Sequence, residues 1–188
     1  MAIKTFVASE VLSASDTNTY LSNSGLVYIT EVALSTTAID GIFTSTYDNY
    51  RIVVNQIKTA GAGGLVRYNW RDTSNATVGG ANYYTAGNRY DSAGTNYDFG
   101  VQAATFADTG VNATTGGDWA SFAMDIYGPR LTTNTSTSLC GVGAINGPSI
   151  VTCATGYNAV QAHAGIIFSL SAGTFSTGRV FVYGYRKA

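Results

Sequence analysis

Charged side chains are scarce in this chain of 188 residues, where Asp, Glu, Lys and Arg make up 11% of the sequence. An average soluble domain carries about 25%. The basic residues are scattered and the net charge is −1, so the sequence lacks the dense positive patch typical of nucleic-acid-binding proteins. The low charge indicates that the surface consists of neutral polar groups or is covered by other subunits, and we expect no nucleic-acid partner.

Histidine and glutamate are nearly missing. His163 is the only histidine, and Glu10 and Glu31 are the only glutamates, which excludes a metal site built from several histidines. A Ser-His-Asp triad would depend on His163 alone, and its apolar sequence context favours a histidine satisfied by the backbone at a strand end. The histidine therefore supplies no catalytic residue, and we expect no metal and no cofactor.

Two kinds of site based on aspartates stay open at the sequence level. A glycan-cleaving enzyme needs two carboxyl groups about 5–9.5 Å apart, and the fold could bring such a pair together from Asp72, Asp91, Asp98, Asp108, Asp118 and Asp125. Oxygen ligands for calcium exist at Asp91, Asn96 and Asp98, but their spacing is not that of an EF-hand loop. Aspartates in such glycine-rich segments more often form turns.

Long apolar runs are also missing. No run approaches the roughly 18 residues of a membrane-spanning helix, and the first thirty residues show no apolar core behind a basic start. We expect neither a signal peptide nor membrane insertion, and a protein that is made in a cytoplasm.

The one helix signal lies near the start of the chain. Ser13 is a suitable N-cap, Asp16 lies in the first turn and Gly25 is a natural stop. A helix of about ten residues is too short to persist alone in water, so it must pack on something. Its thin apolar side leaves two possibilities open, its own domain or another subunit.

From residue 26 onward the pattern is that of β-strands. Apolar and polar residues alternate from Leu65 to Asp72, with Val66, Tyr68 and Trp70 on one face, as in a sheet with one solvent-exposed side. Counting such segments gives about nine strands without βαβ alternation. We predict an all-β protein with one β-sandwich over residues 26–188, jelly-roll-like or Greek key, and an N-terminal segment over residues 1–25 with one short helix.

The two cysteines flank a predicted hairpin. If the turn is centred between Asn146 and Gly147, the pair that tight hairpin turns favour, Cys140 and Cys153 lie directly opposite each other as free thiols. Pro148 lacks the N–H that would close a two-residue loop, so we expect a loop of four residues with the same centre.

A tyrosine-rich segment is the best candidate for a ligand surface. It contains Tyr83, Tyr84, Arg89, Tyr90 and Tyr97, and aromatic faces beside polar groups can stack on sugars and bind their hydroxyls. The alternative, which we favour, is that these tyrosines pack in a subunit interface, where aromatic residues are enriched, or cap the open end of the sandwich.

Three segments together resemble small structural proteins of tailed bacteriophages, especially those of cyanobacterial and other aquatic phages. They are the opening IKTFVASEVLSASDTNTYLSNSGLVYI, the central FTSTYDNYRIVV and the closing GRVFVYGYRKA, about a third of the chain. The opening is the most specific piece. In that group it is an attachment or oligomerisation element, which by position would fall on Phe6, Val11, Leu12, Asp16, Asn18, Tyr20 and Leu21.

The resemblance implies a non-enzymatic virion component that is assembled in the host cytoplasm. It implies a homo-oligomer, with a trimer favoured, that contacts other tail or capsid proteins. A host surface glycan is the partner that the tyrosine-rich segment suggests for an outward-facing β-sandwich. A typical long fibre has repeats after the opening motif, whereas here one β domain follows directly. This departure raises the chance of a short appendage or a capsid-decorating protein. From the opening motif and the tyrosine-rich loops, a tail-fibre-type appendage is our first expectation, a capsid cement protein the second and a tailspike-like glycan-cleaving enzyme the third.

Overall fold

The computed structural model describes residues 25–34, 38–116, 120–144 and 147–186, and this part of the chain is entirely β-structure. The strands are β1 (Leu26–Ala33), β2 (Ala38–Ile39), β3 (Asn49–Ala60), β4 (Gly64–Asp72), β5 (Tyr83–Asp91), β6 (Asn96–Ala104), β7 (Ala107–Ala113), β8 (Ala120–Tyr127), β9 (Thr135–Ala144), β10 (Pro148–Tyr157), β11 (His163–Leu170) and β12 (Thr174–Tyr185).

The strands form two antiparallel sheets of unequal width. The wide sheet has eight strands in the order β1-β12-β3-β8-β9-β10-β5-β6, and the narrow sheet has four in the order β2-β11-β4-β7. Apolar side chains from both sheets are buried in one cluster. The all-β prediction is confirmed, and the two sheets enclose their core in a β-sandwich-like arrangement.

The core between the sheets is rich in aromatic rings, which the alternation of β4 directs inward. Val66, Tyr68 and Trp70 are buried as predicted. Trp70 lies at the centre of the cluster, with ring centroids 5.1 Å from Tyr68, 6.0 Å from Phe43 and 5.3 Å from His163. Tyr68 and Phe43 meet Trp70 edge-to-face and His163 stacks on it, and such ring contacts add to the stabilisation that burial gives.

Several sequence predictions fall outside the described residues. These are the short helix that begins at Ser13 and the proposed attachment residues Phe6, Val11, Leu12, Asp16, Asn18, Tyr20 and Leu21. They stay predictions.

β2 and β7 are strands that the sequence did not predict. After β6 the chain enters β7, whose seven residues are small and almost all buried. Gly110 has a φ of +69°, and a Cβ atom there would lie 2.1 Å from the Phe99 ring. β7 thus passes under the β5–β6 hairpin at a distance that only glycine allows at this position.

The hairpin of β9 and β10 forms as predicted, but the register that was expected for the cysteines is wrong by one residue. Cys140 pairs with Thr152, and Cys153 pairs with Leu139. Because a shift of one residue moves a side chain to the other face of a sheet, Cys140 is exposed on the outside whereas Cys153 points inward. Both thiols are free.

The physical reason for the shift is the length of the turn. Pro148 is the first residue of β10 and pairs with Ala144, so three residues lie between the strands instead of the expected four. The centre of the hairpin therefore falls on Asn146 and not between Asn146 and Gly147.

Candidate recognition surface

The predicted tyrosine-rich surface is divided between the two faces of the wide sheet. Tyr84 and Tyr90 point outward from β5 and are 40% and 51% exposed. Tyr83 points into the core and is fully buried. Arg89 lies on the same inward side of β5 and faces Tyr97 of β6 in register. The five residues therefore do not form one ligand surface.

Tyr83 is part of the core and not of a binding site. Its hydroxyl accepts a hydrogen bond from the Trp70 backbone N–H at 3.0 Å and donates one to the Val78 carbonyl at 2.9 Å. Burial raises the pKa of Tyr83 to about 12. The hydroxyl thus joins β4 to the segment that follows it, and we correct the assignment of Tyr83 to a ligand surface.

Arg89 and Tyr97 form a small cluster beneath the β5–β6 hairpin. The Arg89 guanidinium lies 5.1 Å from the centre of the Tyr97 ring, within the range of a cation–π contact. The Tyr97 hydroxyl is 3.4 Å from Asp91 Oδ2, while Asp91 Oδ1 accepts the backbone N–H groups of Ala93 and Thr95. Asp91 is therefore a turn-forming residue, as the sequence favoured over a calcium ligand.

The outward face of the wide sheet has two halves with different chemistry. We call the outward residues of β9, β10 and β5 the neutral half, because they include no Asp, Glu, Lys, Arg or His. Its members are Ser136, Ser138, Cys140, Val142, Ile150, Thr152, Ala154, Gly156, Tyr84, Ala86, Asn88 and Tyr90. At the charged fraction of this chain, 11%, twelve positions would include about one charge, and in an average soluble domain about three.

The other half, which we call the tyrosine half, is formed by the outward residues of β1, β12, β3 and β8. Tyr28 is 56% exposed and packs edge-on against Tyr183, with 5.9 Å between ring centroids. The Tyr185 hydroxyl donates to Asp125 Oδ1 at 2.6 Å, and Arg51 Nε lies 3.7 Å from the same oxygen. Burial, followed by the hydrogen bond to Asp125, raises the pKa of Tyr185.

The tyrosine half offers the chemistry that the sequence suggested for residues 83–97. Aromatic rings lie beside the Arg51–Asp125 ion pair, and Tyr127 adds a ring that is 44% exposed. Sequence reasoning missed this group because its members come from strands far apart in the chain. The alternation of Tyr183 and Tyr185 in β12 was the available signal.

Two shallow depressions mark the neutral half. One, of ≈ 440 Å³, lies where Val142 and Ile150 meet Val53 and Ala123, and the other, of ≈ 510 Å³, lies between Tyr84 and the β9–β10 hairpin. Both open to solvent and are lined mainly by small or apolar groups. Their shallow, open shape is that of a protein contact surface and not of an enclosed ligand pocket.

The described aspartates of the possible glycosidase pairs each have a structural partner. Asp72 Oδ1 accepts the backbone N–H groups of Ser74 and Ala76, and these bonds lower its pKa. Asp98 bonds the Asn88 amide, Asp108 accepts the Gly110 N–H at 3.0 Å, and Asp125 bonds Tyr185. Asp118 lies outside the described residues. Turns, caps and cross-strand bonds account for these carboxylates.

His163 is fully buried at the start of β11. Its ring stacks on Trp70 and meets Tyr157 edge-on at 5.0 Å. Its main-chain N–H donates to the Pro129 carbonyl at 2.6 Å, but neither ring nitrogen has a hydrogen-bond partner among the described residues. The expected strand-end position is confirmed, whereas the expected satisfaction of the ring by the backbone is wrong, because aromatic rings and not carbonyls surround it.

Burial lowers the pKa of His163 to about 4, with Asp72 opposing the shift. The ring is therefore neutral at pH 7. Among the described residues, no three His, Cys, Asp or Glu side chains come together in a way that could hold a metal ion. Nor does the described part of the chain include a helix long and apolar enough to cross a membrane.

Comparison of the chain with protein-family models, with curated proteins and with solved structures gave no match.

Proposed function

We propose that this protein is a non-enzymatic structural component of a bacteriophage virion, a tail-fibre-type appendage that works as a homo-oligomer, with a trimer favoured. Sequence resemblance supplies the link to phages, through the opening, central and closing segments. The observation that carries the structural role is the broad outward face of the wide sheet, half of which is uncharged. Such a face suits a protein that assembles, because freely soluble surfaces carry interspersed charges.

Strand order supports the finer description of the fold as a jelly roll. In sequence order, a jelly roll pairs its first, eighth, third and sixth strands in one sheet and its second, seventh, fourth and fifth in the other. β1-β12-β3-β8 and β2-β11-β4-β7 have this order once the β5–β6 and β9–β10 hairpins are treated as insertions that widen one sheet. Viral capsid and lectin domains often use this architecture, although a fold alone does not define a function.

Localisation on purified phage particles tests the virion proposal. Gold-labelled antibodies against the purified protein are expected to bind the tail, with six to a few dozen copies per particle. Hundreds of copies over the head would favour the second candidate, a cement protein at capsomer junctions. A protein that is present in the infected cell but missing from purified particles would contradict both assignments.

Glycan contact belongs to the same proposal, and the tyrosine half supports it better than residues 83–97 do. Aromatic rings lie near Arg51 and Asp125, namely those of Tyr28, Tyr183 and Tyr127. Sugars bind by stacking on such rings, while neighbouring polar groups form hydrogen bonds with the sugar hydroxyls. We expect weak binding to an array of bacterial surface oligosaccharides.

Glycan binding should be lost in Tyr28→Ala and kept in Val160→Ala, a variant that truncates a 71% exposed side chain in the loop between β10 and β11, outside the wide sheet. Equal glycan binding by wild type and Tyr28→Ala would contradict the glycan-binding role of the tyrosine half but would leave the virion assignment unaffected.

A further inference from the structure

We infer that the neutral half of the wide sheet is the surface through which copies of this chain bind one another. This inference rests on the proposed homo-oligomer and adds the surface that forms it. It assigns Tyr84 and Tyr90 to the subunit interface.

The first argument is the exposure of apolar side chains in one row. Val142, Ile150 and Tyr90 lie side by side across β9, β10 and β5 in register. They are 38%, 60% and 51% exposed. Single exposed apolar residues are ordinary, but a contiguous row on a flat sheet marks an interaction surface.

The second argument is the distribution of charge. The centre of a protein interface is depleted in charged residues and its rim is polar. The neutral half has this arrangement, because Asp125 of β8 flanks it on one side and Asp98 of β6 on the other. Between them the small residues Ala86, Ala154 and Ser138 allow close approach.

The third argument is size. With strands about 4.8 Å apart and outward faces roughly 26 Å long, the neutral half and its flanking strands β8 and β6 offer about 620 Å² of flat area. Specific, stable interfaces take about 600–1,000 Å² from each partner. These five strands therefore reach the lower end of that range and provide it with an uncharged centre.

A second copy of the chain is the occupant that this chemistry favours. A partner recognised by charge would need opposite charges on this face, and the neutral half has none to offer. Different parts of the neutral half in neighbouring copies can meet around a three-fold axis, because hydroxyl groups, small residues and apolar side chains match one another without any charge pairing.

The reactivity of Cys140 can report whether another copy of the chain covers the neutral half. Cys140 is exposed on β9 of the neutral half, beside Thr152 of β10, whereas burial raises the pKa of Cys153 to about 12. A thiol reagent at pH 8 therefore reacts with Cys140 in preference to Cys153. If copies of the chain cover the neutral half, the Cys140 thiol must be protected in the assembled protein.

The test combines molar mass with thiol reactivity on the full chain at about 50 µM. Wild type is expected to have a mass that is a multiple of 19.6 kDa, with Cys140 alkylated at least tenfold more slowly than in the Ala154→Arg variant. Ala154→Arg places a charge at the centre of the neutral half and should be monomeric. Ala60→Arg makes the same change at an exposed position of β3 outside this half and should assemble like wild type.

Two kinds of result would overturn the inference, and they differ in whether they also contradict the proposed homo-oligomer. An oligomer with a rapidly alkylated Cys140, or an Ala154→Arg variant that still assembles, would leave the homo-oligomer standing and place its contacts elsewhere. A wild-type protein with the mass of one chain would remove both the interface and the homo-oligomer.

Discussion

Replacing Tyr83 with phenylalanine is expected to lower the free energy of unfolding by about 1–3 kcal/mol, since it leaves a buried donor without an acceptor. The lost hydroxyl accepts the Trp70 backbone N–H and donates to the Val78 carbonyl. Phenylalanine keeps the ring, so the change isolates the two hydrogen bonds from the packing. Urea unfolding, with midpoints and m-values compared, measures the effect.

The neighbouring tyrosine provides a matched control. Tyr84 is 40% exposed on the opposite face of β5, and Tyr84→Phe should change the free energy of unfolding by less than about 0.5 kcal/mol. If both variants unfolded at the same urea concentration as wild type, Tyr83 would not have the core role described above.

Acidification is expected to destabilise the protein through His163. Because burial lowers the pKa of His163 from its ordinary 6.5 to about 4, the unfolded state binds a proton that the folded state rejects between these values. The stabilisation is fully present above pH 6.5 and is lost as the pH falls toward 4. The total effect is about 3 kcal/mol, on the basis of 1.36 kcal/mol per pKa unit.

Substitution by leucine separates this effect from the titration of the carboxylates. His163→Leu keeps an apolar side chain of similar volume beside Trp70 and Tyr157 and removes the proton site. Its stability at pH 7.5 should equal or exceed that of wild type, because two unpartnered ring nitrogens leave the core. Urea unfolding at several pH values should show that wild type loses about 2 kcal/mol more than His163→Leu between pH 7 and pH 5. Parallel pH profiles for the two proteins would show that His163 is not the group responsible.

The sequence predicted the strands that carry clear alternation. β4 and β8 have large apolar side chains at every second position, so both their existence and their buried faces could be predicted. β7 could not, because Ala107, Thr109 and Gly110 are small residues whose burial depends on Phe99 and the β5–β6 hairpin lying over them. Burial of that kind comes from tertiary structure and leaves no pattern in the strand itself.

The candidate site was harder to predict than the fold. The alternation of β5 already separates Tyr84 and Tyr90 from Tyr83 and Arg89, so a stricter use of period two would have divided the predicted surface. The tyrosine half and the neutral half, in contrast, exist only because β12 pairs with β1 and β3, and β10 with β5. Those pairings join segments up to about 150 residues apart, and one sequence does not reveal them.

A shift of one residue in the β9–β10 register changes the positions of the two cysteines. An Asn-Gly turn predicts direct opposition of Cys140 and Cys153, but Pro148 enters the strand and shortens the loop by one residue. The shift places one thiol outside and the other inside. It is also what makes Cys140 a reporter on the neutral half.

The rate at which Cys140 reacts with a thiol reagent in the native full-length protein, recorded together with its molar mass, tests the central claim most directly. We predict an assembly whose mass is a multiple of 19.6 kDa and in which Cys140 reacts at least tenfold more slowly than in Ala154→Arg. A single-chain mass with a freely reactive Cys140 would contradict the account of this protein as an assembly built on its neutral sheet face.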